Sequence, residues 1–373
     1  MLKCCYETNH FILTDQGKWN YNSDIIETGF EISKKRGNWL VTIYDIAKQT
    51  GLSPTTISKV LNNYHDVSEK TKAKVLQAAK EMGYLPNSSA RTLTTKRSWT
   101  LGILFVESTG MGIRHPFFNA VIESFKSEAE SRGYDLMFIS KDIGGKETSY
   151  LEHCRYRSVD GVIVILLDPR NPGMQELLDS DIPCVLLDCE STKAGTVYSD
   201  NLNGGYQAIQ YLQGLGHRKI AHISGGSYYF AGQQRQLGYE LALQRLKLNK
   251  RPDYIIEGGD YTLESGYEAM LELLALEDPP TAVFAAGDNL AIGAMKALKE
   301  KGLRVPEDVS IIGFDDIELA SYVTPALTTI RQDTKLLGTK AAEILIESIE
   351  SVRSIVNIVL PVELVIRESC KEL

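Results

Sequence analysis

The sequence predicts an α/β protein: a small all-helical module followed by a much larger core of two parallel α/β lobes. Three observations predict it. Helix-cap and turn signals crowd between Thr42 and Asn63, short apolar runs alternate with amphipathic windows beyond residue 99, and charge divides unevenly between these regions. A chain of 373 residues exceeds one ordinary domain. Its hydrophobic content of 43% supports real cores.

Residues 1–39 show no sustained helical or strand period, and Lys34, Lys35 and Arg36 before Gly37 read as solvated linker, so no fold is expected there. Recognisable patterning starts at Val41, and translation is expected to begin near Leu40; the intact mass of the native protein checks this. From Thr42 the stripe of Ile43, Ile46 and Ala47 marks a first helix, which Gly51 can end in left-handed conformation. Ser53 offers a side-chain cap and Pro54 fits the first helical position, where its missing N–H costs nothing, so a second helix follows at once. Two helices joined by a glycine-containing turn make a helix-turn-helix. A third helix runs from Ser68 to about Met82, with Val75, Ala78, Ala79 and Met82 on its covering side.

After Tyr84 a stretch rich in serine and threonine reads as a linker. Beyond it lie LGILFV (101–106), YDLMFIS (134–140), DGVIVIL (160–166) and PCVLLD (183–188), then KIAHISGG (219–226), YIIEGG (254–259), TAVFAAGD (281–288) and VSIIGFDD (309–316). Nearly continuous apolar strands separated by helices mean parallel sheets covered on both faces. Two series of about four strands imply two similar lobes, with a ligand crevice at the carboxyl ends of the strands. The expected divisions are an unassigned extension (1–39), the helical headpiece (40–85), a linker (86–98) and the core (99–373). Within the core, one lobe takes 99–199 and 333–360, the other 200–332 and 361–373.

Net charge is −8, yet residues 40–98 hold nine Lys or Arg against four acids, a surplus of five that leaves −13 on the rest. A basic module on an acidic body is the electrostatic footprint of a DNA reader with a separate sensing domain. No stretch approaches the roughly 20 apolar residues of a membrane span, and the N-terminus lacks a secretory pattern, so the expected location is cytoplasmic. Six scattered cysteines without a C-x-x-C pair or nearby His cluster point to free thiols, with no metal and no cofactor. No nucleophile elbow, phosphate loop or G-x-G-x-x-G follows a strand, which argues against an enzyme; Gly225–Gly226 and Gly258–Gly259 fit tight turns. The rival is a plain sugar-binding protein or enzyme on the same lobes, for which the headpiece would have no use.

The segment VTIYDIAKQTGLSPTTISKVLNNYHDVSEKTKAKVLQAAKEMGYLPNSSARTL, Val41 to Leu93, resembles the headpiece and hinge of the LacI family of bacterial repressors. It carries the T-x-Y-D-I-A start, the S-x-x-T-x-S-x-V-L-N reading helix, the G-Y-x-P-N exit and the A-R-x-L hinge in order. The likeness continues through HPFF (115–118), SDNLNGGY, GHRKIAHISG, GLRVPEDVSIIGFDD and TPALTTIRQD. It implies a periplasmic-binding-protein-like core, a homodimer, a palindromic operator and a small-molecule effector. The second helix would enter the major groove, with Pro54, Thr55 and Lys59 facing bases. Pro54 has no side-chain donor, so readout leans on Thr55 and on Lys59, which can donate to guanine O6 and N7. Many relatives carry Arg or His at the latter position, and Lys lacks the bidentate fork.

Thr42, Ser53, Thr56, Ser58 and Asn62 match positions that touch phosphates, though Ser53 also serves as a cap. Residues matching Asn87 to Thr95 fold on DNA into a hinge helix involving Ala90 and Arg91, with Leu93 wedged into the minor groove; the alternative is a flexible linker. The resemblance also assigns effector contacts: Arg235, and Asp315 from the opposite side, with Phe117 and Phe118 bordering the pocket, Asp200, Asp288 and Gln332 at the cleft edge, and Tyr229 and Tyr261 in an aromatic wall. Structural pairing of Arg235 and simple core roles for the phenylalanines are the alternatives. Aromatic faces beside hydrogen-bonding groups suit a sugar. Tyr229 and Ala231 stand where the purine-binding member has arginine and threonine, which disfavours a purine. Glu343, Lys335 and Leu336 replace the residues with which the catabolite-control member docks a phosphorylated carrier protein. The chain ends soon after VELVIRES without the leucine heptads of tetrameric relatives, so a dimer is expected.

Overall fold

The computed structural model describes residues 11–13, 19–21, 41–61, 66–84, 97–105, 112–166, 171–226, 228–350 and 355–373. The chain divides into two compact units, Met1–Lys96 and Arg97–Leu373.

In the first unit the extension, read as lacking structure, contains two short antiparallel strands, β1 (Phe11–Leu13) and β2 (Trp19–Tyr21). Three residues per strand are too few to leave a readable period. Three helices follow: α1 (Ile43–Thr50), α2 (Pro54–Leu61) and α3 (Glu69–Glu81). Thr42 and Asp45 form a reciprocal capping box on α1, and Gly51 ends it at φ 70°. The Ser53 hydroxyl accepts from the Thr56 N–H at 3.1 Å and starts α2. Ile46, Ile57, Val60, Val75, Ala78 and Ala79 from all three helices form one core.

The second unit holds two six-stranded sheets. The first has the order β15-β9-β8-β7-β3-β4, parallel throughout, from β3 (Thr100–Phe105), β4 (Asp135–Phe138), β7 (Gly161–Ile165), β8 (Cys184–Leu187), β9 (Gly195–Ser199) and β15 (Asn357–Leu360). The second has the order β11-β10-β12-β13-β14-β16, from β10 (Ile220–Ser224), β11 (Ile255–Glu257), β12 (Ala282–Ala285), β13 (Ser310–Asp315), β14 (Thr328–Arg331) and an antiparallel edge, β16 (Glu363–Val365). Each therefore has six strands where the apolar runs gave about four. The missed strands, GTVYS, TTIR, NIVL and ELV, run three to five residues, with polar residues breaking the apolar signal in the first two and only two or three apolar residues in the others. A small hairpin, β5 (Asp142–Ile143) with β6 (Lys146–Glu147), stands apart from both sheets.

Helices α4 (Pro116–Ser131), α5 (Tyr150–Arg157), α6 (Pro172–Leu178) and α12 (Thr334–Glu350) accompany the first sheet. The second carries α7 (Asn201–Gly214), α8 (Phe230–Arg245), α9 (Leu263–Leu274), α10 (Asp288–Glu300) and the short α11 (Glu318–Tyr322). The chain passes between sheets after β9, β14 and β15. Loops from both sheets thus border one cleft. α7 and α8 pack closely enough that a Cβ on Gly238 would lie 2.1 Å from the Leu202 carbonyl oxygen. No described helix is long and apolar enough to cross a membrane, and among the described residues Cys154, Cys184, Cys189 and Cys370 form no disulfide.

Candidate reading helix and inter-lobe cavity

On α2, Ile57 and Val60 are spent on the core, while Thr55 is exposed and Pro54, Thr56, Ser58 and Lys59 are half-buried. Helical spacing puts Thr55 and Lys59, four apart, on one stripe. The Lys59 ammonium is bonded to the Asp66 carboxylate just past the helix, and that bond holds Asp66 below the usual carboxylate range. Thr42 and Ser53 have their hydroxyls in caps, and Thr56 shares a 2.9 Å contact with Ser53. Asn62 of the phosphate set and Ala90, Arg91 and Leu93 of the hinge lie outside the described residues.

In the second unit a cavity partly open to solvent lies between the lobes, and the space within it, its open mouth included, is about 700 Å³. Phe105, Phe117, Phe118, Tyr229, Phe230 and Tyr261 supply its aromatic wall. Phe118 meets Phe105 and Phe117 edge-on, with centroids 5.4 and 5.1 Å apart. Arg235 and Asp315 also line it, but not from opposite sides as expected. Both belong to elements of the second sheet's lobe and touch each other, Nη1 to Oδ1 at 3.4 Å, each side chain 4% exposed. Arg235 Nε donates to Asn201 Oδ1 at 2.8 Å and Nη1 to the Ala286 carbonyl at 2.5 Å, and the guanidinium lies 3.8 Å from the Phe314 ring centre. So Arg235 carries both readings at once, structural pairing and cavity lining.

The acid facing them from the first lobe is Asp188, which the sequence reading did not single out; it ended the PCVLLD strand. Its Oδ1 is buried without a hydrogen-bond partner. Burial raises its pKa against the pull of Arg235, Ser199 and Asn201. Burial also lifts Asp315 to about 7, the Arg235 charge opposing. Tyr261 is lifted to about 12 by burial, and its phenol oxygen has no partner among the described residues. Gly225 is what admits that phenol: a Cβ there would lie 1.8 Å from Tyr261 Oη. The glycine serves close approach rather than the tight turn expected of it. His115 sits before α4 without capping it, its Nδ1 unpartnered, and burial depresses it to about 4. It is therefore neutral at pH 7.

Leu166, Asp188, Tyr261 and Asp315 are non-glycine residues at φ 57°, 50°, 57° and 114°. Four such conformations around one cavity are strain gathered where a ligand would be held. Three expected contacts are not among its lining residues. Asp200 caps α7, accepting from Asn203 N–H at 3.1 Å. Asp288, fully buried, takes Thr329 Oγ1 at 2.5 Å on one oxygen and the Ile317 N–H at 2.8 Å on the other. Gln332 donates to Asp315 Oδ1 at 2.7 Å and borders a neighbouring groove with Arg114, Asp316 and Lys335. Asp288 and Gln332 hold the end of β13 and the loop after it in shape, and Asp200 the start of α7, which makes them supports of the site. No group of three or more potential metal ligands occurs among the described residues.

Comparison with known proteins gives a consistent pattern. Residues 42–87 match the family of bacterial regulatory proteins, lacI family, and 209–370 match the periplasmic binding protein-like domain. The chain is 37% identical over 316 residues to the HTH-type transcriptional repressor PurR of Vibrio cholerae, covering 83% of this chain and 92% of that one. It is 38% identical over 327 residues to the repressor of the same name from Pectobacterium atrosepticum, covering 86% and 94%. Among solved structures it is similar to the lac repressor dimer bound to operator and the anti-inducer ONPF, with TM-score 0.76, 30% identity and coverage of 89% and 99%. It is also similar to the transcriptional regulator CelR–cellobiose complex, with TM-score 0.66, 31% identity and coverage of 88% and 99%.

Proposed function

The chain belongs to the lacI family of bacterial regulatory proteins, and from that premise we propose how this DNA-binding transcriptional repressor, which is not an enzyme, reads its operator and senses its small-molecule effector. α2 enters the major groove. Thr55 and Lys59 read base edges beside Pro54, while Thr42, Ser53, Thr56, Ser58 and Asn62 meet phosphates and fix register. Ala90, Arg91 and Leu93 complete the grip in the minor groove. The observation that carries this reading is the division of α2 into a core face, Ile57 and Val60, and a solvent face bearing Thr55 and Lys59.

The protein acts in the cytoplasm as a homodimer on a palindromic site, whose half-sites mirror the protein's symmetry. Leu319 and Tyr322, 45% and 73% exposed on α11, are apolar surface of the kind that self-association covers. The effector occupies the inter-lobe cavity, between Asp188 of one lobe and Arg235, Tyr261 and Asp315 of the other, so that its binding free energy depends on how closed the lobes are. The aromatic wall and the cellobiose bound by the similar CelR favour a sugar.

Two measurements test these readings. Binding to duplexes selected from a random pool should give a palindromic site, with log K falling steeply with log salt. Lys59→Ala should weaken that binding by about 1–3 kcal/mol. No selected sequence, or equal binding by the variant, sinks the assignment. Thermal shift with sugars and purine bases then identifies the effector, and a purine as the sole hit overturns the sugar reading.

A further inference from the structure

Three side-chain atoms at the inter-lobe cavity are buried and have no hydrogen-bond partner among the described residues: Asp188 Oδ1, Tyr261 Oη and His115 Nδ1. A buried polar group without a hydrogen bond is expensive, and native structures leave few of them. Three around one cavity mark groups reserved for an occupant. Their inventory says what that occupant offers. A carboxylate oxygen only accepts, while a phenol and a neutral imidazole can each donate or accept.

Charge narrows the class further. Among the described residues that line the cavity Arg235 is the one cation, against the carboxyls of Asp188, Asp260 and Asp315. The Arg235 Nε and Nη1 are already engaged by Asn201, Ala286 and Asp315. A phosphate or carboxylate entering here would meet no surplus positive charge, and it would add a further anion to a site of low dielectric, where like charges repel strongly. A hydroxyl, an amide-type N–H or an ammonium would instead complete Asp188.

We propose that this cavity selects an effector without any anionic group, which donates a hydrogen bond to Asp188, so that phosphorylated and carboxylated forms of the same molecule are rejected. This rests on the reading that the cavity holds the effector, and it holds for a sugar or a base alike.

The test uses the full chain and matched probes in calorimetric titration. The neutral or cationic set is cellobiose, glucose, ribose, glucosamine, guanine and hypoxanthine; the anionic set is glucose 6-phosphate, ribose 5-phosphate and gluconate. The expected result is a hit confined to the first set. Asp188→Asn, which offers an N–H where the ligand also has one, should weaken that hit by about tenfold or more, the equivalent of one charge-assisted hydrogen bond. Asp188→Ser serves as the second variant, and melting of the free protein shows that each has folded. An anionic probe binding more tightly than its parent overturns the proposal while leaving the cavity as effector site. A non-anionic hit indifferent to both variants does the same. Binding of no probe counts against both the proposal and the effector reading on which it stands.

Discussion

Arg235→Ala should cost the core about 3–4 kcal/mol before any ligand is considered. The side chain is 3% exposed and holds two acceptors, Asn201 Oδ1 and the Ala286 carbonyl, with a charged donor. Each such bond is worth about 1.5 kcal/mol or more, and stacking on Phe314 adds about 1 kcal/mol. Breaking a buried ion pair can cost about 3–5 kcal/mol when the partner stays charged. Here that contribution is capped, because Asp315 titrates near 7 even with the arginine present and can take up a proton instead. At about 2–4 °C per kcal/mol for a unit of this size, melting should fall by roughly 6–16 °C. Scanning calorimetry at pH 7 measures it. Asp315→Asn should cost less in the alanine background than alone, because the two side chains share one interaction. A fall below about 2 °C with additive double-mutant behaviour would refute the reasoning. A loss of effector binding in Arg235→Ala mixes structure with contact, which makes Asp188 the cleaner probe of the cavity.

Three further outcomes follow from the same geometry. Asp66→Asn frees the Lys59 ammonium from its carboxylate partner and removes a negative charge near the reading helix, so operator and non-specific DNA should both bind about two- to tenfold more tightly at low salt; unchanged affinity by fluorescence anisotropy would remove the pair from the DNA face. Gly238→Ala places a methyl 2.1 Å from the Leu202 carbonyl oxygen and 2.9 Å from the Tyr206 nitrogen, both backbone, and should destabilise the core by about 1–3 kcal/mol; wild-type melting would show that α7 and α8 separate freely. Acidification has a definite sign. His115 and His222, each depressed to about 4 mainly by burial, contribute stability that is present above about 6.5, the unfolded value, and lost as pH falls through about 4. Asp315, raised to about 7, acts oppositely over that window, since its protonated form favours the fold. Asp188 and Asp288, also raised by burial, act with Asp315, so the histidine share is read by difference: between about pH 6.5 and 4 the wild type should lose stability relative to His222→Phe in urea titrations, and an equal slope in that variant would assign the change elsewhere.

The headpiece was legible because its determinants are local. Thr42, Gly51, Ser53, Pro54 and Ser68 act through hydrogen bonds and dihedral preferences that reach only a few residues, and the structure places them at the helix ends where such chemistry requires. The long parallel strands announced themselves in the same way, by apolar runs buried on both faces, whereas β9, β14, β15 and β16 were hidden by their threonines and brevity. The sequence by itself also determined, through family resemblance, that Arg235, Asp315, Phe117, Phe118, Tyr229 and Tyr261 belong to one cavity.

Only the tertiary structure decided what each polar group has left to give. A carboxylate at a strand end looks the same in sequence whether its oxygens are spent, as in Asp200 and Asp288, or open, as in Asp188 Oδ1. Asp200 is satisfied locally by the Asn203 amide, whereas Asp288 is satisfied by the Ile317 amide and the Thr329 hydroxyl, 29 and 41 residues away, which the second sheet brings within hydrogen-bond reach. Arg235 and Asp315 likewise share one lobe because α8 and β13 do, leaving the facing position to Asp188 at the end of β8. Charge balance, burial and unspent hydrogen bonds are properties of that assembly, and they are what separate a ligand contact from a strut.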